Sequence, residues 1–260
     1  RPPRCFDNVH GRIVRLPADF GKPAAPSGVP LLMKNAIARS IWDWTKSIGI
    51  AFALFLVLRA FVVQTWVITS GSMEGTLLVG DLLILNKVAY GAPVPGTQKR
   101  LPGYTDPKRG DIVVFRAAHD TLDVIKRLIG LPGDTLAMES GQLYINGVKQ
   151  VEPYVRRTSP ESNGTHPWMD WQRRFVTSDV DTSRYRPTRD EWGPIVVPDS
   201  NYFLLGDNRD ESLDSRFWGF LDPARVKGKA AVVYYSYERD GLKPFPWLHV
   251  RWDRIGELIR

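Results

Sequence analysis

Ser47 to Val67 is the most apolar stretch of the chain, carrying Ile48, Ile50, Phe52, Leu54 to Leu58, Phe61 to Val63 and Trp66. Its length matches the roughly 20 residues that a helix needs to cross a bilayer. Arg59 interrupts the run, at a cost of roughly 2.5–3.5 kcal/mol at the bilayer centre and less where its side chain reaches a headgroup. Lys34, Arg39 and Lys46 precede it, and Trp42, Trp44 and Trp66 sit near its ends as interfacial aromatics do. The positive-inside tendency then places the N-terminus in the cytoplasm and everything after Val67 outside. A cleaved signal peptide is the rival reading, but the run is long for one and no Ala-x-Ala follows it. A buried helix of a soluble protein is the plainer alternative. The expectation is a single-pass anchor helix over residues 41–67, behind a cytoplasmic leader of residues 1–40.

Residues 1–33 are polar, punctuated by Pro and Gly, and without a period, which predicts disorder. The chain opens on Arg1, and Met33 precedes helix-compatible residues. A natural start at Met33 and a genuine cytoplasmic tail are both compatible with that.

From Leu77 the texture changes to short apolar runs separated by turn residues, which predicts strands. Such runs are Leu82–Leu85, Asp111–Phe115, Val124–Gly130, Ile195–Val197, Tyr202–Leu205 and Ala230–Tyr235. Leu143–Ile145 followed by Asn146-Gly147 reads as a hairpin, because Asn-Gly supplies the positive φ of a type I′ turn. Residues 150–195 are polar and aperiodic, as an insertion or a looser subdomain would be. Leu248, Trp252, Ile255 and Leu258–Ile259 recur at helical spacing among arginines, so residues 241–260 are expected to form a basic amphipathic segment. It could lie on lipid or pack on the β domain, the second being favoured.

The chemistry-bearing residues fall into three separated clusters. Ile68-Thr69-Ser70-Gly71-Ser72-Met73 follows the apolar run directly. If Thr69 to Ser72 is extended, Ser70 and Ser72 share a face and Met73 turns to the other. One serine could then attack a carbonyl while the other hydroxyl supports the oxyanion. Ser-Gly-Ser alone is weak, being common in turns. A serine needs a base, and His119 or His166 with an Asp is the commoner solution. Lys126 offers another, since it shares a strand face with Val124 and Leu128, and desolvation lowers a lysine pKa from about 10.4. A neutral lysine can take the serine's proton and return it to a leaving amine. The third cluster runs from Gly206 to Arg216. There Ser212 could orient Lys126, Asp207 could pair with Arg127, and Asp214 with Arg216.

Together these clusters resemble the bacterial type I signal peptidases (leader peptidases), membrane-bound Ser-Lys proteases, over about Ile41 to Tyr235. The resemblance rests on Ser70-Gly71-Ser72-Met73, on Arg109-Gly110-Asp111-Ile112-Val113-Val114-Phe115, on Lys126-Arg127 with Gly130-Leu131-Pro132-Gly133-Asp134, and on Gly206 to Arg216. It implies a mainly β fold of two subdomains behind an N-terminal transmembrane helix, with a hydrophobic surface resting on the membrane. It implies Ser72 as nucleophile, Lys126 as general base, and the Ser70 hydroxyl with the Ser72 N–H as oxyanion hole. Ser212 would orient the lysine. The implied substrates are exported preproteins cut after small residues, typically Ala-x-Ala, at the outer face of the inner membrane and with no cofactor. Two positions depart from the family. Gly75 stands where proline is usual, which is expected to loosen the turn after the nucleophile, and Val124 stands where an aromatic is frequent, which is expected to desolvate the lysine less completely.

Composition narrows the alternatives. One cysteine, Cys5, leaves no internal disulfide, and four scattered histidines without His-x-x-x-His argue against a metal. A net charge of +7 suits nucleic acid or anionic lipid alike, but nucleic-acid binding would not explain the anchor. A penicillin-binding enzyme is disfavoured because Ser-x-x-Lys is missing. A specialised Ser-Lys peptidase for one pilin or conjugation substrate, and an inactive membrane-anchored binding module, remain as alternatives. Oligomeric state leaves no trace in the sequence.

Overall fold

The computed structural model of the chain describes residues 31–94, 97, 99–117, 122–159, 163–238 and 249–260. The leader up to residue 30, with Cys5, and also His119 lie outside them. Two compact units divide at Leu54/Phe55.

Helix α1, Leu31–Val57, begins ten residues before the anchor expected from residue 41 and continues as a π-helical turn over Leu58–Val62. Arg39–Val62 is long and apolar enough to cross a membrane, and none of its most apolar window is buried. The chain then turns extended at Val63, so the last part of the expected anchor is a strand, β1, Val63–Val67. Its side chains alternate between exposed and half-buried, a period of two that an unbroken apolar run conceals.

The second unit is mainly β. One antiparallel sheet has the order β1-β2-β10-β3-β4-β9, where β2 is Asp81–Asn86, β3 Ile112–Arg116, β4 Asp123–Gly130, β9 Phe203–Leu205 and β10 Val226–Ser236. The other has the order β7-β6-β5-β8, from β5 Thr135–Glu139, β6 Gln142–Ile145, β7 Val148–Lys149 and β8 Trp192–Val196. Asn146 and Gly147 have φ of 52° and 76°, as the type I′ hairpin requires. Asp134 ties the sheets at the β4–β5 turn, accepting from Leu131 N, Asn146 Nδ2 and Arg109.

Apolar clusters fill the space between these elements. Ile68, Met73, Leu77, Leu83, Ala230 and Val233 form one, which anchors the segment after β1. Leu136, Leu143, Met169, Trp192, Ile195 and Phe203 form another, on the smaller sheet. Residues 150–195 are therefore not loose throughout. A 3-10 helix, Pro167–Arg174, buries Met169 and Gln172, and Trp171 and Phe175 meet Phe220 at 4.9 and 5.0 Å between ring centroids.

The C-terminal segment makes a single 3-10 turn, Trp252–Arg254, instead of an amphipathic helix. It packs on the β domain: Leu258 bridges to Val232, Ile259 enters the core, and Arg254 Nη2 lies 2.6 Å from the fully buried Asp81 carboxylate. Arg254→Met should therefore lower stability by roughly 3 kcal/mol, because it leaves a buried carboxylate short of its partner. A denaturant midpoint equal to wild type would mean that the tail is not docked this way.

Candidate active site

Ser70 is extended, and Gly71–Met73 winds into one 3-10 turn, so the stretch is not extended through Ser72 as expected. The turn nevertheless leaves Ser70 Oγ and Ser72 Oγ 3.5 Å apart, with Met73 fully buried. Burying Met73 under β2 and β10 fixes where the turn can sit.

Lys126 reaches Ser72 from the middle of β4. Its Nζ donates to Ser72 Oγ at 2.5 Å and to Ile125 O at 3.1 Å, and the residue is 2% exposed. Desolvation lowers the lysine pKa to about 8; the carboxylates of Asp214 and Asp207 oppose that shift and the Arg216 guanidinium adds to it. Val124 therefore does not leave the lysine wet: burial is nearly complete without an aromatic two residues upstream.

Two buried ion pairs stand behind the lysine, and both are the pairs expected from sequence. Arg127 clasps Asp207 through Nε and Nη2 at 2.8 and 2.7 Å. Arg216 clasps Asp214 through the same two nitrogens, each at 2.8 Å. Burial alone would raise the Asp214 pKa, but the Arg216 charge and hydrogen bonds, with Gly206 N, hold it below the usual carboxylate value. Thr76 Oγ1 donates to Asp207 at 2.6 Å and accepts from Arg127 Nη2 at 3.0 Å, which links the serine turn to this frame.

Ser212 is buried, 5% exposed, and its hydroxyl makes no well-aligned hydrogen bond among the described residues, although it lies near enough to Asp214 to help hold that carboxyl low. Lys126 and Ser212 are thus not hydrogen-bonded in this resting arrangement. His166, the other candidate base among the described residues, caps the 3-10 helix by accepting from Trp168 N and stacks edge-on against Phe217. It is engaged elsewhere.

Sequence reasoning gave no role to two residues that hold the serine turn, Asn208 and Gly206, and misjudged a third, Gly75. Asn208 donates from its backbone N to Ser72 O at 3.2 Å and from Nδ2 to Gly71 O at 3.3 Å. Gly206 lies so close to the turn that a Cβ there would stand 2.5 Å from the Ser72 carbonyl oxygen, and closer still to Ser212 Oγ. Gly75 has φ of +121°, and a Cβ would overlap the Tyr154 carbonyl. Glycine does more here than loosen the turn, since proline's fixed φ near −65° could not follow this path. The available signal was the density of Gly and Asn among turn formers, which does not say what they approach.

Beside the pair lies a cavity of about 230 Å³, lined by Trp66, Ile68 and Ser70 on one side and by Leu122, Val124 and Lys126 on the other.

The family model described as "Signal peptidase, peptidase S26" matches residues 41–235. The chain belongs to that family. Signal peptidase I of Pseudomonas fluorescens is 36% identical over 228 residues, covering 82% of this chain and 78% of the relative. Signal peptidase I of Bacillus licheniformis is 35% identical over 199 residues, covering 76% and 90%. A crystal structure of a signal peptidase I from Enterococcus faecalis is 34% identical and covers 48% of this chain and 97% of its own, with a TM-score of 0.33. The S26 assignment makes the chain a serine peptidase of the signal peptidase kind, which acts on exported preproteins. The two antiparallel sheets bear out the mainly β fold expected from sequence.

Adding a methyl at Gly206 tests the packing around the serine turn. Gly206→Ala should cut kcat/KM for a preprotein by about a hundredfold, the scale of an ångström-sized misplacement of reacting groups. Full activity in that variant would show that the loop tolerates what this packing forbids.

Proposed function

We propose that this signal peptidase works as a membrane-anchored Ser-Lys enzyme, with Ser72 as nucleophile and Lys126 as general base. The observation that carries the reading is the 2.5 Å approach of Lys126 Nζ to Ser72 Oγ, made by a lysine almost wholly removed from water. A lysine pKa near 8 leaves a useful fraction of neutral amine at working pH, whereas an exposed lysine would have almost none.

The neutral amine accepts the Ser72 proton as Oγ attacks the scissile carbonyl. The oxyanion forms beside the Ser70 hydroxyl and the Ser72 N–H, an amide in the first turn of a 3-10 helix, where no intrahelical acceptor competes for it. Lys126 returns the proton to the leaving amine, the mature chain departs, and an ester-linked acyl-enzyme remains. The lysine then deprotonates the water that releases the signal peptide. The Ser212 hydroxyl, buried and without a well-aligned bond at rest, is available to hold the lysine when the Ser72 hydroxyl is no longer its partner. Arg127, Asp207, Asp214 and Arg216 act as positioning residues for the lysine and its loop.

Small side chains before the cut, as in Ala-x-Ala, suit a 230 Å³ cavity walled by Ile68 and Val124. Because β1 is a sheet edge and the segment following it lines the cavity, an extended substrate has backbone groups to pair with. Arg39–Val62 would span the bilayer with its N-terminus cytoplasmic and the catalytic unit outside.

Cleavage of an Ala-x-Ala preprotein by the detergent-solubilised chain tests this. Ser72→Ala and Lys126→Ala should each lose nearly all activity while staying folded. Survival of cutting in Lys126→Ala would assign the base elsewhere, and an inert wild type that binds preprotein would favour the binding-module alternative.

The pH profile carries the sign of the lysine shift. Only the neutral amine is a base, so kcat/KM should climb about tenfold per pH unit below 8 and level above it. A profile still climbing in the same way above pH 9 would place the lysine at its ordinary pKa.

A further inference from the structure

A second concavity, about 670 Å³ in volume, lies away from Ser72 and Lys126. Lys87, Arg100, Arg116, Arg225 and Lys227 line it together with Ala60. Among the described residues the carboxylate that pairs with any of the five cations is Asp123, bound to Lys227 and standing 3.8 Å from Arg116. Among the described residues, Lys87, Arg100 and Arg225 find only backbone carbonyls. Lys87 Nζ donates to Ala60 O at 2.7 Å, Arg100 to Gly91 O and Ala224 O, and Arg225 to Ala117 O.

Lys87 makes the imbalance costly. It is 8% exposed, and a cation that far from water is normally balanced by an anion. Burial, then the like charges of Lys227 and Arg59, hold its pKa below the usual lysine value. An anion in the groove would oppose that lowering by favouring the charged lysine. Ala60 identifies the source of the anion, because it belongs to the apolar segment Arg39–Val62 and lies two residues from its end. A groove lined by the end of a membrane span lies at the depth of lipid headgroups, where a basic residue contributes to binding of anionic lipid.

We propose that this groove binds the phosphate of an anionic phospholipid headgroup. The inference rests on the reading of Arg39–Val62 as a membrane span. The lipid phosphate sits among Lys87, Arg100 and Arg225, with Arg116 and Lys227 at the rim. The bound lipid thereby fixes the catalytic unit against one leaflet at a second point beyond the helix.

Native mass spectrometry of the full chain in detergent, titrated with phosphatidylglycerol or with phosphatidylcholine, tests this directly. Arg116→Glu/Arg225→Glu is the variant of choice, since both side chains are exposed and the fold can be checked by its melting profile. Wild type should retain phosphatidylglycerol in preference to phosphatidylcholine, and the variant should bind it about tenfold or more weakly, as two reversed charges imply. Equal retention of both lipids by wild type, or undiminished preference in the variant, overturns the site. Displacement of phosphatidylglycerol by millimolar inorganic phosphate overturns the lipid assignment in favour of a free anion. Carbonate extraction of membranes separates the two readings. A chain released by carbonate contradicts the span, whereas a chain that stays embedded without lipid preference contradicts the groove alone.

Discussion

Removing one ammonium from water is the constraint on which the rest of this structure depends. Lys126 sits in the middle of β4 at 2% exposure, and desolvation is the largest influence on its charge. The carboxylates of Asp214 and Asp207 oppose that effect, because both favour the charged lysine. Each of those carboxylates is clasped by its own arginine, Asp214 by Arg216 and Asp207 by Arg127. The Arg216 charge adds to the lowering at Lys126, and desolvation is the largest influence of all. Buried ion pairs often contribute little to stability against apolar replacements. Here their effect falls on the basicity of a neighbour and on the shape of a loop.

That loop explains how distant segments meet at one point. Asp207 and Asn208 hold the serine turn from the loop after β9, through Thr76 and through the carbonyls of Gly71 and Ser72. Gly206 permits the approach because a side chain would occupy the space of the Ser72 carbonyl. Met73 secures the same turn from below by full burial. The nucleophile is thus held from two sides by unrelated physical means, polar clasps above and apolar packing beneath. Where groups are fixed this way, little reorganisation is left for the reaction itself.

Much of this was legible in the sequence, and the failures have physical causes. Strands β2, β3, β4 and the Asn146-Gly147 hairpin follow from local alternation and turn chemistry, which need no tertiary information. The pairs Arg127–Asp207 and Asp214–Arg216 were readable as complementary charges, and Ser72 with Lys126 from chemistry together with the family resemblance. Strand β1 was hidden because an apolar run has no visible period, so the change from helix to strand at Val63 left no mark. The tail's helical spacing misled because the Arg254–Asp81 pair and the bridge at Leu258 outweigh local propensity. Gly75 and Val124 were misjudged for one reason: both consequences depend on what lies opposite in space, the Tyr154 carbonyl in one case and the packing around β4 in the other.

The measurement that bears most directly on the account is an NMR titration of Lys126 in the full chain, using ¹³C-labelled lysine and assignment by comparison with Lys126→Met. The account predicts a side chain that titrates near 8. Titration at the ordinary lysine value of about 10.4 would contradict it, because the buried amine would then be an ammonium at working pH and Ser72 would have no base at hand.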